Sequence, residues 1–261
     1  KFSLNKSSLN NVEYKNFCFT FFFYRIFKKF LKNKSWFNKF INFSILDDTF
    51  LDKYEEKINE IEFNKLFMLG YYQSEKYFHK NRNLIIKELY PTIPQDSKYI
   101  KMSEKISKNN SIAIGVRMHE NIDTEFGIKI SDKRKARMIE GIGGITPLSF
   151  YLNAINKMSH KIKDPKFFLF STKKNNLNSL IQKSEILKNS YFEIVTADNG
   201  FENAYDNLWL MSKFSNFIIS NSTLYWWAAY FSLVNSNSNY VICSKRFPNK
   251  DIYLNEWEKS E

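Results

Sequence analysis

An anion would find hydrogen-bond donors in the stretch "FIISNSTLYWWAAYFS" (residues 217–232), where an apolar run breaks into Ser220, Asn221, Ser222 and Thr223 before paired tryptophans take over. If the apolar run is a buried strand and the aromatic run a helix, the polar residues open that helix. Unpaired backbone N–H groups and the helix dipole at such a place favour a phosphate. Ser222 or Thr223 taken singly serves equally well as a plain helix cap. Four small polar residues in succession after a buried strand favour the anion. Trp226 and Trp227 cannot share one helix face, so at least one packs as core.

A second candidate, Arg117, ends the apolar run "SIAIGVRM" (111–118). Its planar guanidinium can grip a pyrophosphate in fork geometry; the alternative is a structural ion pair with Glu120 or Asp123. Glu120 either hydrogen-bonds a sugar hydroxyl or orients the arginine. Ser171 and Thr172 bracket a nucleotide or simply end a strand. Asp198 or Asp206 contacts a ribose or a sugar, or serves a loop or capping role.

Other chemistries lack their residues. There is no G-x-x-x-x-G-K-[ST], no G-x-G-x-x-G after a strand and no G-x-S-x-G elbow, which weighs against kinases, dehydrogenases and serine hydrolases. Cys18 and Cys243 lie far apart without C-x-x-C spacing, and His79, His119 and His160 occupy separate segments, so neither a disulfide framework nor a protein-bound metal is expected. A nucleotide-sugar site built from cations and helix ends, without a metal, stays open.

The elements that must position these residues alternate from residue 111 onward. Apolar, β-rich runs at "SIAIGVRM", "KFFLFS" (166–171), "YFEIVT" (191–196), "NFIISNS" and "NYVICS" (239–244) read as five strands. Helices are predicted over 175–187, 203–214 and "TLYWWAAYFS". Another follows Thr146 and Pro147, read as an N-cap and first helical position, with Leu148, Tyr151, Leu152, Ile155 and Met158 on one face. The stretch 119–145, with "SDKRKAR" and "GIGGI", reads as an extended loop. Such alternation predicts an α/β fold, a parallel Rossmann-like sheet whose ligands lie beyond the carboxyl ends of its strands. Residues 1–105 lack the alternation and are predicted to be a separate, partial domain; residues 106–261 are predicted to form a Rossmann-like nucleotide-binding domain.

The formal charge of +12 is concentrated: residues 1–45 hold nine Lys or Arg and the single acid Glu13. Within residues 14–43, Phe23, Phe27, Phe30 and Leu31 recur at helical spacing with Lys28, Lys29 and Lys32 on the other side. This basic amphipathic pattern suits peripheral contact with a membrane surface, or packing against a neighbour in the fold. No apolar run reaches the ~18 residues of a spanning helix, and no nucleic-acid partner is expected.

Longer stretches carry a family likeness. "FENAYDNLWLMSKFSNFIISNSTLYWWAAYFS" resembles the signature of the α-1,2-fucosyltransferases of glycosyltransferase family 11, in which a D-L-x-L-M-S helix leads to an I-S-N-S-T-F-S-W-W-A-A corner. In the same order, "FMLGYYQSEKYF" (67–78) is similar to that family's G-Y-W-Q-S-E-K-Y-F, "TPLSFYLNAINKM" to its P-L-x-Y-Y-x-x-A-I helix, "DPKFFLFST" to its N-P-x-F-F-I-F-S-D strand and "YVICSKRF" to its V-I-A-P-K-R-W. The resemblance covers residues 67–250. It implies a GT-B-like fold of two Rossmann-like domains, the amino-terminal one incomplete here because the family's G-G-L-G-N-Q loop is missing. It also implies metal-free, inverting transfer of L-fucose from GDP-fucose to a hydroxyl of a glycan or lipid-linked oligosaccharide, in surface polysaccharide synthesis at the cytoplasmic face of the membrane.

The family's H-x-R-R-x-D motif falls on residues 115–120. Arg117 is kept, while Gly115 stands in place of histidine, Met118 in place of the second arginine and Glu120 in place of aspartate. Asn207 replaces the aspartate of the D-L-x-L-M-S helix, and Asn216 a common histidine. The expectation is therefore that Arg117 and Glu120 are the catalytic pair, and that Ser171, Asp206, Ser220, Asn221, Ser222 and Thr223 bind the donor. The alternative is a non-catalytic GDP-sugar-binding or scaffolding remnant.

Overall fold

The computed structural model describes residues 44–47, 54, 66–69, 72–107, 109–117, 144–235 and 240–261. The chain divides into two compact units, residues 1–79 and 80–261. In the first, β1 (Ser44–Asp47) and β2 (Leu66–Leu69) form a parallel pair. Ser74 of the Q-S-E-K-Y-F stretch is buried, and its side chain accepts from Lys76 N at 3.2 Å, capping a short turn of 3₁₀ helix. The basic amphipathic segment 14–43 lies outside the described residues, as does the rest of any amino-terminal Rossmann unit.

The second unit is an α/β fold built on a six-stranded parallel sheet. Its strands are β3 (Ser111–Gly115), β4 (Lys166–Phe170), β5 (Phe192–Val195), β6 (Asn216–Ile219), β7 (Tyr240–Ser244) and β8 (Glu258–Ser260), in the order β5-β4-β3-β6-β7-β8. The central strands are buried along almost their whole length. That explains their unbroken apolar sequences, because helices cover both faces of a parallel sheet. The edge strands β5 and β8 are only half-buried. β8, with the sequence Glu-Lys-Ser, carries no apolar signal and is a sixth strand where five were expected.

Side chains alternate between the faces. Phe167 and Leu169 of β4 join Ile112 and Ile114 of β3 in one core cluster. Against it lies α3 (Leu148–Lys161), buried through Phe150, Tyr151, Ala154, Ile155 and Met158. Phe168 and Phe170 point the other way and meet the Phe214 ring edge-on, at 5.0 and 5.9 Å between centroids. Helix α3 begins one residue later than its sequence suggests. Pro147, with φ −70° and ψ 153°, is the N-cap residue and offers no side-chain cap, which leaves the Thr146 hydroxyl for another task.

Residues 80–105 pack with the second unit, so the division falls well before residue 105. Helix α1 spans Arg82–Leu89 and α2 spans Ser97–Glu104. Tyr99 of α2 is buried against Phe201 and its hydroxyl accepts from Asn203 N at 3.3 Å; Thr92 N donates to the Tyr205 hydroxyl at 2.9 Å. These ties hold the segment to α6 (Ala204–Met211), which lies beyond two short helices, α4 (Asn178–Lys183) and α5 (Glu185–Lys188). The single helix expected over 175–187 is interrupted by Ser184, whose side chain caps α5 by accepting from Leu187 N.

Candidate functional site

The strand order fixes where a ligand can sit. From β3 the chain adds strands to one side (β4, β5), then returns to the other side of β3 and adds β6, β7 and β8. From the carboxyl ends of β3 and β6 the chain goes on to strands on opposite sides, β4 and β7. The crevice opened at such a reversal is where doubly wound sheets bind nucleotides. Arg117 follows β3, and Ser220 to Thr223 follow β6, so two distant sequence stretches meet at this point.

Most of the β6 corner is turned into the fold. Asn221 is 7% exposed, and its side chain uses both ends: Nδ2 donates to Gly144 O at 2.7 Å, and Oδ1 accepts from the Thr146 hydroxyl at 3.0 Å. The same Thr146 hydroxyl lies 3.4 Å from Ser244 Oγ at the end of β7. One amide thus ties the carboxyl end of β6 to the segment before α3. Ser220 is fully buried and its hydroxyl has no hydrogen bond of good geometry. Beside it the Tyr151 hydroxyl is pushed up to about 12 by burial, against the opposing pull of the Arg117 backbone N–H and the Ser220 and Thr146 hydroxyls. At pH 7 it is a neutral phenol that accepts from Arg117 N at 2.9 Å.

Ser222 and Thr223 face outward. The Ser222 carbonyl accepts from Trp226 N at 3.0 Å, which makes Ser222 the residue that opens α7 (Thr223–Asn235); it is half-buried and Thr223 is exposed. Of the four polar residues, these two remain at the helix start, where its dipole favours an anion. The tryptophans brace the helix from behind. Trp226 is 4% exposed, stacks on Tyr230 at 4.8 Å, meets Trp257 at 5.8 Å and donates its indole N–H to Ile252 O at 2.8 Å. Trp227 is half-buried, so the pair splits as its helical spacing requires.

Arg117 is exposed at the end of β3, and its Nη1 donates to Asn221 O at 3.1 Å. That bond spans the reversal point and uses one of the five guanidinium N–H groups. Two residues earlier, Gly115 is a steric necessity: a Cβ built there would lie 2.4 Å from the Tyr225 ring. Tyr225 fills the space of the missing side chain, and its hydroxyl donates toward Val116 O and Phe170 O at 3.3 and 3.2 Å. Gly115 and Tyr225, which stand where the motifs quoted above have histidine and serine, therefore face each other.

Beside this point a cavity of about 160 Å³ opens at the carboxyl ends of β4 and β5. Ser171, Thr172, Asn207 and Tyr225 are among its lining residues. The Ser171 and Thr172 hydroxyls accept from Asn176 Nδ2 at 3.4 and 3.3 Å, and this shared donor holds them at the rim. Asp206 does not line the cavity. It sits in the first turn of α6, where burial first and the nearby Asp96 second hold its carboxyl above the usual range. Asp198 accepts from Lys174 N at 2.7 Å, a tie between two loops. Asn216 lies at the opposite end of β6, donating to Ser111 O at 3.2 Å, away from the crevice. Glu120 and Asp123 lie outside the described residues. The sequence reading noted Asn207 only as a departure from the family pattern; its place one residue beyond Asp206 puts it, and not the aspartate, on the cavity.

An α/β sheet with a basic residue and a helix start at its reversal point is a nucleotide-binding arrangement shared by many enzymes. Among curated proteins, the chain is similar to the alpha-1,2-colitosyltransferase of Escherichia coli, 24% identical over 200 residues. The match covers 74% of the chain and 61% of the relative, so the chain spans under two thirds of that protein's length. This supports a distant relationship to a glycosyltransferase. No protein-family model matches, and no solved structure matches.

Proposed function

We propose that the chain binds a nucleotide-sugar at the β3/β6 crevice and transfers the sugar to a hydroxyl of a glycan acceptor. The observation that carries this reading is the Arg117 guanidinium anchored across the reversal point onto the Asn221 carbonyl, which presents a fixed cation beside the start of α7. As a glycosidic bond to a nucleoside diphosphate breaks, negative charge accumulates on the departing diphosphate. A pre-positioned cation and helix N-terminus stabilise that charge more in the transition state than in the ground state. Such a site needs no metal cofactor.

The family likeness of the corner supports GDP-fucose as donor and an inverting reaction. The relative is named for colitosyl transfer, so colitose is the competing donor sugar. Glu120 remains the proposed partner of Arg117, orienting it or contacting a sugar hydroxyl. Binding without turnover is a second reading, favoured by the replacements at Gly115, Met118 and Glu120. The experiment is incubation of the chain with GDP-fucose or GDP-colitose and a panel of glycan acceptors, read as GDP release and product mass. Transfer that Arg117→Ala lowers by about 10²–10³-fold supports the enzyme. Donor binding with no product from any acceptor supports the second reading, and no binding of either donor removes both.

A further inference from the structure

Between the last paired residue of β3 and the exposed side chain of Arg117 lies the peptide group that joins Val116 to Arg117. Strand pairing stops just short of it: the register of β3 with both neighbours ends at Gly115, and the Val116 N–H bonds to Phe170 O at 2.8 Å. The next peptide is held by side chains instead. Its carbonyl, Val116 O, lies 3.3 Å from the Tyr225 hydroxyl, which shares its one hydrogen with Phe170 O. Its N–H, on Arg117, donates to the Tyr151 hydroxyl at 2.9 Å. A phenol can do either, accepting from an N–H or donating to a carbonyl. The two phenols come from opposite faces of the sheet. Tyr151, on α3, belongs to the core formed with Ile112 and Ile114; Tyr225, on α7, fills the space over Gly115, whose place next to Ile114 in the strand turns it to the other face. Both tyrosines are buried, Tyr151 at 0% and Tyr225 at 7% exposure.

We infer that Tyr151 and Tyr225 are positioning residues that clamp this peptide and so fix the base of the Arg117 side chain; the inference rests on the nucleotide-sugar reading above, in which Arg117 is the cation. An arginine side chain is long and has many rotamers, so its guanidinium is pre-positioned only when the backbone end is fixed as well as the tip. The tip has its bond from Nη1 to Asn221 O, and the clamp supplies the other end. Neither phenol has to touch a ligand. The device also departs from the motifs quoted above. Tyr225 reaches Val116 O because residue 115 has no side chain in its way, and the serine of the family corner is a whole ring too short to do so.

Calorimetric titration of the full chain with GDP tests the clamp. The variants are Tyr151→Phe, Tyr225→Phe and the two together, each made in the parent chain and again in Arg117→Ala; phenylalanine keeps the buried ring and removes only the oxygen. With Arg117 present, the paired Phe variant is expected to bind GDP about tenfold more weakly, one hydrogen bond's worth, and each single variant to lose less. In Arg117→Ala the same changes are expected to leave the residual GDP affinity unaltered, because the residue they position is gone. A loss by the same factor in both backgrounds, or no loss in either, overturns the clamp and leaves the nucleotide-sugar reading in place. If Arg117→Ala binds GDP as tightly as the parent, the clamp falls with the role of Arg117. If the parent binds no GDP, it falls with the nucleotide-sugar reading itself. A second measurement needs no variant to fold: the Arg117 amide hydrogen is expected to exchange with solvent more slowly than an unbonded amide, and exchange at the unprotected rate overturns the clamp.

Discussion

The two strand ends that meet at the crevice are built on opposite principles. After β6, the residues most suggestive of anion binding, Ser220 and Asn221, are spent on the fold: one is fully buried, and the other bonds to two separate segments, its side chain to Gly144 and Thr146 and its carbonyl to the Arg117 guanidinium. After β3, motif identity is mostly lost, yet the retained Arg117 is exposed at the reversal point. A well-preserved motif can thus record structural ties, and a poorly preserved one can keep its one matching cation exposed.

That comparison can be broken most directly at Arg117. Arg117→Ala should lower turnover by about 10²–10³-fold, the cost of losing one pre-positioned donor to a developing charge. Because the side chain is exposed, its melting temperature should stay near that of the parent. A large loss of stability would mean that the β3 end is as structural as the β6 corner. Asn221→Ala should do the reverse. Deleting an amide that satisfies buried partners costs about 1–3 kcal/mol per stranded group, measurable as a lower midpoint in urea, while any loss of donor affinity should follow the loss of folded protein.

Gly115 sharpens the same contrast. Gly115→Ala forces a methyl group to within 2.4 Å of the Tyr225 ring and should cost about 1–3 kcal/mol by overpacking. Combined with Tyr225→Ser, most of that loss should return in a double-mutant cycle; additive losses would show that the two positions do not share one space. The smallest effect is expected at the mouth. Thr223→Ala leaves the fold within about 0.5 kcal/mol, as for most exposed substitutions, and should weaken GDP binding by only a few-fold. An unaltered GDP affinity would exclude the Thr223 hydroxyl from the donor site.

What the sequence made legible follows from burial. The central strands announced themselves because both faces are covered and the side chains between their ends are apolar. β8 was silent because its three residues, Glu258, Lys259 and Ser260, are all polar, whereas β5, the other edge strand, keeps an apolar run. The break at Ser184 was hidden because a serine inside a polar helical stretch looks the same whether it caps or not. Arg117 and the corner were located correctly at strand ends, but which of the four polar residues faces outward depends on the register of the turn. The turn is tied through Asn221 to Thr146, a residue 75 positions away whose hydroxyl was read as a helix cap. Asn207 was passed over for the neighbouring Asp206. Only the angular position around α6 separates a cavity residue from one lying beside Asp96, and a single step along a helix turns the side chain by about 100°.

The fit of the Tyr225 ring over Gly115 also constrains history. Starting from an ancestor with a side chain at 115 and a small residue at 225, enlarging 225 first would drive two side chains into one volume. Losing the side chain at 115 first leaves only a void, which the later tyrosine fills. A lineage that took this path cannot easily retrace it: restoring histidine at 115 alone would collide with the ring. A strand end altered in that order would be locked in by its own repair.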